Sequence, residues 1–261
     1  MHCVWKRRGC FTIMSLPTFM KFSVLTYNLL VNQALHELQK IILHSNPDIL
    51  FFQEINTDED NLRKIEKFGY RLADFSNSFL RFGKVYGVAT FYNPKVFKLS
   101  KSESLNLPSS VYQILIFILK GKKNPRTVLR NEFSFVKNGS SITTYNIHLT
   151  PLYATNALRI KQIKNTFADL HLTKKNHVVI AGDFNFPYGR KKFEELISVH
   201  GLKEATNNIL FTLEKKILGL FRIRLKLDYV LYKNLVVKSN ETISFKHSDH
   251  YPIITIFKTE D

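Results

Sequence analysis

The sequence predicts an α/β domain in which two stacked β-sheets carry helices on their outer faces. Three observations lead there. Predicted strands outnumber predicted helices, and they are of two kinds, some apolar throughout and some alternating, as expected for burial on two faces and on one. No Gly-x-Gly-x-x-Gly or Walker A stretch occurs, which disfavours a Rossmann-type sheet. The 261 residues, 44% of them hydrophobic, supply one large core, and no Gly/Ser or Pro linker or internal repeat divides the chain.

The elements follow in order. "KFSVLTYN" (21–28) alternates and ends in polar residues, so it reads as a strand. "QALHELQKIILHS" (33–45) places Leu35, Leu38, Ile41 and Ile42 on one helical stripe, and Asn46-Pro47 stops it. "DILFFQE" (48–54) is a short continuous apolar run, the mark of a strand buried on both faces. "DEDNLRKIEKFGY" (58–70) opens with acids and closes at Gly69, a short helix. "VYGVATFYN" (85–93) is a strand, and "EFSFVKNGSSITTYNIHL" (132–149) is a hairpin turning at Asn138-Gly139. Residues 154–172 form a helix with Ile160, Ile163, Phe167 and Leu170 on one face. "HVVIAGD" (177–183) is a strand, "RKKFEELISVHG" (190–201) a helix closed by Gly201, and "LDYVLY" (227–232) and "PIITIF" (252–257) are strands.

Residues 1–20 stand apart. Lys6-Arg7-Arg8 before mixed apolar residues faintly resembles a signal peptide, but Ser15 and Pro17 break the apolar part and no small-x-small cleavage site follows. A disordered extension, or an upstream start with Met20 as the functional one, is the preferred reading, with the catalytic unit at 21–261. Cys3 and Cys10 are the only cysteines, so no disulfide framework is expected, and a reducing, cytoplasmic setting is favoured over secretion. The longest purely apolar run, Ile114 to Leu119, is far short of the roughly 18 residues of a membrane span.

The 38 basic and 21 acidic residues leave a net charge of +17. Such a charge suits a polyanionic partner, whether nucleic acid, an anionic membrane surface or a phosphorylated ligand, with solubility as the ordinary alternative.

Polar residues recur where predicted strands end: Asn28, Glu54, His148, Asp183 with Asn185, Asp228, and Asp249-His250. Each alone has a plain reading as a turn residue, a helix cap, a surface acid or a semi-buried histidine. As a set of carboxylates, carboxamides and imidazoles without thiols, they suit a hard, oxygen-preferring ion such as Mg²⁺ or Mn²⁺. Such an ion polarises a phosphoryl oxygen, a carboxylate activates water, and amides and imidazolium stabilise developing charge.

The ordered pieces "TYNLL", "DILFFQE", "YNIHLT", "IAGDFN", "LDYVLY" and "SDHYPI", spanning residues 22 to 257, resemble the endonuclease/exonuclease/phosphatase superfamily. The resemblance implies a four-layer α/β sandwich of two stacked, mostly antiparallel sheets flanked by helices, and a divalent-metal-dependent phosphoesterase. It also implies roles. Glu54 is the principal metal ligand, with Asn28 and Asp249 near the ion or its waters. Asp183 activates the attacking water, and Asn185 helps hold it. His250, oriented by Asp228, contacts the phosphate, and His148 donates from the opposite side. Arg159 and Gln162, one helical turn apart behind His148, look like a supporting pair for substrate. The chain departs from the abasic-endonuclease branch: it has "NLLVN" and "QEINT" where that branch shows Asn-Gly-x-Arg and Thr-Lys, and a His in "YNIHLT" where it carries Tyr. In deoxyribonuclease I a glutamate partners this His, and "RFGKVYGVATFYN" offers no clear equivalent.

Two segments, each with five basic residues and no acid, are candidate substrate readers. Residues 111–130 carry a basic run after Tyr112 and Phe117, though Ile114–Leu119 also reads as a core strand. Residues 215–226 place Lys215, Lys216, Arg222 and Arg224 around Phe221. Basic residues suit a phosphodiester backbone and aromatics suit stacked bases, while the same mixture suits an anionic membrane surface. The expectation is a monomeric phosphodiesterase acting on nucleic acid. The alternatives are a sphingomyelinase-like phospholipid phosphodiesterase and a catalytically idle relative that binds nucleic acid or membrane.

Overall fold

The computed structural model describes residues 19–108, 127–152, 155–170, 177–217, 221–244 and 247–259. The expected extension with both cysteines, up to residue 18, and the stretch 109–126 with Tyr112, Phe117 and Ile114–Leu119 lie outside the described residues.

Two six-stranded sheets face each other. The first runs β13 (Leu235–Thr242), β14 (Ile253–Thr259), β1 (Lys21–Asn28), β2 (Ile49–Asn56), β4 (Lys84–Tyr92), β3 (Arg71–Arg81). The second runs β5 (Phe97–Asn106), β6 (Thr127–Phe135), β7 (Ser141–His148), β8 (His177–Asp183), β12 (Asp228–Lys233), β9 (Lys203–Glu204). In each sheet the central pair is parallel, β1 with β2 and β7 with β8, and every other pair is antiparallel. A separate hairpin joins β10 (Leu213–Ile217) to β11 (Phe221–Leu225).

Strand alternation builds the layers. Phe22, Val24, Phe51, Phe133, Phe135, Val179, Ala181, Val230 and Phe257 meet between the sheets. Their sequence neighbours point outward. Leu25, Leu50 and Phe52 pack under α1 (Leu38–Ser45) and α2 (Glu59–Glu66). Val178, Ile180 and Tyr145 pack under α3 (Asn156–Ala168) and α4 (Arg190–Val199). The result is the expected four-layer sandwich, and the doubly apolar strands are the central ones.

The helix signals in the sequence act locally. Asp58 caps α2 by accepting from the Asn61 N–H at 2.8 Å, and Thr155 caps α3. Asn46, at φ +40°, ends α1 before Pro47. The stripe at 33–45 is split: Gln33–Glu37 forms a 3-10 helix and only Leu38–Ser45 is α. The strands not anticipated are β3, β5, β9, β13 and the β10–β11 hairpin. The first four are the sheet edges, whose exposed faces need no apolar pattern. No helix among the described residues is long and apolar enough to cross a membrane.

Candidate active site

At one end of the inter-sheet layer the inward positions turn polar. β1 passes from Phe22 and Val24 to Thr26 and Asn28, and β7 from Ile142 to Asn146 and His148. Gln53 donates to Asn146 Oδ1 at 2.8 Å, and Asn146 donates to the Ala89 carbonyl at 2.9 Å, so amide bonds rivet the two sheets just beneath the site. Neither amide was assigned a role from sequence. Part of the signal is visible all the same: Gln53 follows an unbroken apolar run and stands beside Glu54, and Asn146 is two positions from His148 on the same strand face.

Register sets the first row of site residues. Across β7, β8 and β12, His148 is opposite Asp183 and Asp183 is opposite Asp228. Gly182, at φ +142°, allows the chain to reach this row. A Cβ there would lie 2.0 Å from the Ile147 carbonyl oxygen, so only glycine fits before Asp183.

A bulge sets the second. The β2–β4 register slips between Gln53 and Ile55, and the intervening Glu54 sits at φ +54°. The slip turns the Glu54 carboxylate out of the ladder into the mouth, where Oε2 accepts from the Val31 N–H at 3.1 Å. Val31 lies in three consecutive left-handed residues, Leu30, Val31 and Asn32. Each such non-glycine residue costs on the order of 1 kcal/mol. The turn is held by Asn28 Oδ1, which accepts from the Leu30 N–H at 3.0 Å, and by the Glu54 carbonyl, which accepts from the Asn32 N–H at 3.0 Å.

The third element is the segment before β14. Glu214 of β10 donates its N–H to the Asp249 carbonyl at 2.8 Å, Tyr251 donates to the Thr212 carbonyl at 2.7 Å, and Leu213 bridges His250. The hairpin therefore positions Asp249-His250. Thr212 Oγ1 also accepts the Asp228 N–H at 2.9 Å.

These elements bring together Asn28, Glu54, His148, Asp183, Asn185, Asp228, Asp249 and His250. His250 Nδ1 lies 2.7 Å from Asp228 Oδ2, and its Nε2 is 4.0 Å from Asp183 Oδ2 and 4.0 Å from Asp249 Oδ1. Asp183 accepts from Asn28 Nδ2 at 3.0 Å and from the Asn185 N–H at 2.9 Å. His148 Nε2 stands 3.7 Å from Asp183 Oδ2 and 3.8 Å from Glu54 Oε1. Asn185, at φ +49°, donates to the Leu149 carbonyl at 3.3 Å.

The electrostatics follow from burial and charge. Burial alone pushes the His250 imidazolium pKa down. The charge and hydrogen bond of Asp228, aided by Asp183 and Asp249, outweigh it and raise the pKa to about 10. His250 is thus held as a cation at neutral pH. Burial raises Asp183 to about 7, although the His250 charge and the two hydrogen bonds pull it down. Asp183, Asp228 and His250 each offer a ligand atom within 4.8 Å of the others. Of the three, His250 could ligate through Nε2 only in its neutral form, with Nδ1–H still held by Asp228.

Arg159 and Gln162 are buried on α3 and spend their polar groups on the turn after β7. Arg159 donates to the Pro151 carbonyl at 2.8 Å, and Gln162 bonds the backbone N–H and hydroxyl of Thr150 at 3.1 Å each. That places them behind His148, with the Arg159 charge still close enough to act on Asp183. The four basic residues of the hairpin divide. Lys215 Nζ approaches Asp249 Oδ2 at 3.9 Å. Arg224 pairs with Glu214 and lies over the Phe211 ring, while Lys216 and Arg222 are register partners. Phe221 (66%) and Ile223 (40%) share the Lys215 face of the hairpin and are exposed.

The comparisons with known proteins settle the lineage. The model of the Endonuclease/Exonuclease/phosphatase family matches residues 25–250. The chain belongs to this family. Its members are phosphoesterases. A search of curated protein sequences finds no match. Among solved structures, the human nocturnin catalytic domain with bound sulfate is similar at TM-score 0.72 and 18% identity, covering 92% of this chain and 96% of that one. ANGEL2, a 2',3'-cyclic phosphatase, is similar at TM-score 0.73 and 14% identity, covering 93% and 96%. D. rerio TDP2 complexed with single-strand DNA product is similar at TM-score 0.66 and 16% identity, covering 91% and 98%. At these identities the likeness is one of fold.

Proposed function

We propose that the protein is a divalent-metal-dependent phosphoesterase that hydrolyses phosphodiester bonds in nucleic acid. The observation that carries this reading is the site's charge pattern. Four carboxylates, Glu54, Asp183, Asp228 and Asp249, surround one imidazolium and His148. A phosphate anion enters such a pocket only with a cation to offset the acids. The donor set, oxygen-rich and free of thiols, fits Mg²⁺, with Mn²⁺ able to replace it.

In this reading Glu54, freed by its bulge, and Asp249 would hold the ion, with the second lone pair of Asn28 Oδ1 beside them. A divalent ion bound there polarises a phosphoryl oxygen and stabilises the leaving oxyanion. Asp183, with its pKa near neutrality and both oxygens anchored, orients a water and takes its proton. The water's oxygen attacks phosphorus as the bond to the leaving oxygen breaks. His250, kept charged by Asp228, and His148 donate to the phosphoryl oxygens, joined by the remaining amide hydrogen of Asn185. Arg159 and Gln162 act as positioning residues by fixing the 150–151 turn that follows His148.

Nucleic acid is favoured as substrate by the basic hairpin. Lys215 beside Asp249 meets the backbone, and exposed Phe221 suits base stacking. ANGEL2 and TDP2, similar in fold, are described with an adenosine 2',3'-vanadate and a DNA product respectively. Exposed Phe221 and Ile223 together favour a second reading, a phospholipid headgroup at a membrane surface.

The test is turnover of single- and double-stranded DNA, RNA, sphingomyelin vesicles and bis-p-nitrophenyl phosphate with Mg²⁺, Mn²⁺ or EDTA. Cleavage of nucleic acid that requires metal and is lost in Asp183→Ala and His250→Ala is the expected result. Cleavage of lipid alone would overturn the substrate. Binding without turnover of any of them would overturn the enzyme.

A further inference from the structure

A second cluster of ligating side chains lies outside the active site. His36 and Glu37 end the 3-10 helix, and His247 comes from the loop before Asp249. One ligand atom from each lies within 4.8 Å of the others. The rings of His36 and His247 meet edge-to-face with centroids 4.9 Å apart. Both Nε2 atoms converge on one oxygen: Glu37 Oε1 is 3.9 Å from His36 and 3.7 Å from His247.

The surroundings prepare these atoms for a metal. His36 Nδ1 is 2.8 Å from the Gln33 carbonyl, which fixes the Nδ1–H tautomer and leaves the Nε2 lone pair facing the cluster. That backbone tie is the usual outer partner of a metal-bound histidine. Lys40 Nζ straddles the Glu37 carboxylate, 2.9 Å from Oε2 and 3.2 Å from Oε1, so an ion taking Oε1 displaces the lysine from that oxygen and leaves it on Oε2. The His247 backbone is anchored too, its N–H reaching Tyr27 Oη at 3.3 Å. In a tetrahedral zinc site, bonds of about 2.0–2.1 Å set ligand atoms roughly 3.3 Å apart. The two imidazole-to-carboxylate distances, 3.9 and 3.7 Å, exceed that spacing by about half an ångström, and all three ligand atoms lie within 4.8 Å of one another. His36 (64% exposed) and His247 (41%) have room to close it, and solvent can fill the remaining position.

We infer that His36, Glu37 and His247 form a second metal site, selective for a Zn²⁺-class ion, distinct from the oxygen-rich catalytic mouth. Two imidazoles and one carboxylate prefer such an ion over Mg²⁺, whereas the mouth has the opposite preference. The ion would join two segments from opposite ends of the chain. One follows the turn whose Val31 N–H holds Glu54, and the other carries Asp249 and His250. The site thus braces the mouth without entering it.

The experiment is equilibrium dialysis of the full chain against micromolar ZnCl₂ with millimolar Mg²⁺ present, followed by metal analysis and thermal melting. One zinc per chain is expected, with a higher melting temperature. His36→Ala and His247→Ala should each weaken binding by more than the roughly 10–100-fold that loss of an outer partner costs, and abolish the melting shift. Asp228→Asn should retain the zinc. Glu37→Gln, which keeps the side-chain shape, should weaken binding as well. Zinc kept by both histidine variants and lost in Asp228→Asn would assign it to the catalytic cluster and overturn the inference. No zinc retained by the wild type would also overturn it, leaving an exposed ion-pair cluster.

Discussion

Within the layer between the sheets, the two ends of β1 do opposite things. At its start Phe22 packs against Phe97 at 5.8 Å, Phe135 at 5.5 Å and Phe257 at 5.4 Å between ring centroids. At its end Asn28 donates to a buried carboxylate. Strands β7 and β8 repeat the gradient, from Ile142 and Val179 to His148 and Asp183. The aromatic end supplies apolar burial worth about 1.5–3 kcal/mol per ring. The polar end buries carboxylates that water would solvate better, and holds them with a few hydrogen bonds. The lesson is a division of labour within single strands: one end stabilises the sandwich and the other gives up stability to hold the polar groups of the proposed site.

That contrast can be broken from either end. The largest effect is expected at Asp183. Asp183→Asn should lower turnover by at least about 10³-fold, within the range for loss of a positioned base, while leaving the melting temperature equal or higher. Initial rates and thermal melts on one preparation check both halves. At the opposite end, Phe135→Ala should cost about 3–5 kcal/mol of stability in denaturant titrations, with turnover per folded molecule retained. Gly182→Ala joins the two effects: its Cβ collides with the Ile147 carbonyl, so both stability and turnover should fall.

The pH dependence sharpens the comparison. The folded pKa of Asp183 is raised to about 7, so the folded state keeps a proton that the unfolded state has released. Its contribution therefore destabilises increasingly from about pH 4 up to about pH 7 and is constant above. The stability advantage of Asp183→Asn should grow across that window and then level off, while Phe135→Ala should show a pH-independent loss. For His250 the raised pKa gives stability that is present in full below about pH 6.5 and lost as pH rises through about 10. The smallest effect is expected at the rim. Lys215→Ala should weaken nucleic-acid binding modestly and reduce its salt slope by about 1, as measured by titration at several salt concentrations.

The strands and helices that touch the core were legible because burial imposes a period. The doubly apolar "DILFFQE" and "HVVIAGD" became the central β2 and β8. The edge strands β3, β5 and β13 were silent because "RLADFSNSFLR", "FKLSKSESLN" and "LVVKSNET" pair through backbone and expose much of their surface. The residues of the mouth were visible as polar endings of apolar runs, but their geometry was not. Nothing in "FFQEIN" announces the bulge that rotates Glu54, since a bulge is a property of the β2–β4 pair. Nor does "KKILGLFRIRLK" show that it folds into a hairpin strapped to Asp249-His250. The zinc-class cluster was equally hidden, because His36 and His247 meet only once both segments fold.

The central claim is that the polar end of the sandwich is a phosphodiester-cleaving site. The most direct measurement is the rate of hydrolysis of a single-stranded oligonucleotide in Mg²⁺ by the wild type and by Asp183→Asn, with melting curves showing both to be folded. Metal-dependent cleavage by the wild type, reduced at least about 10³-fold in a variant that melts no lower, is the predicted result. Equal rates in the two folded proteins would contradict the claim.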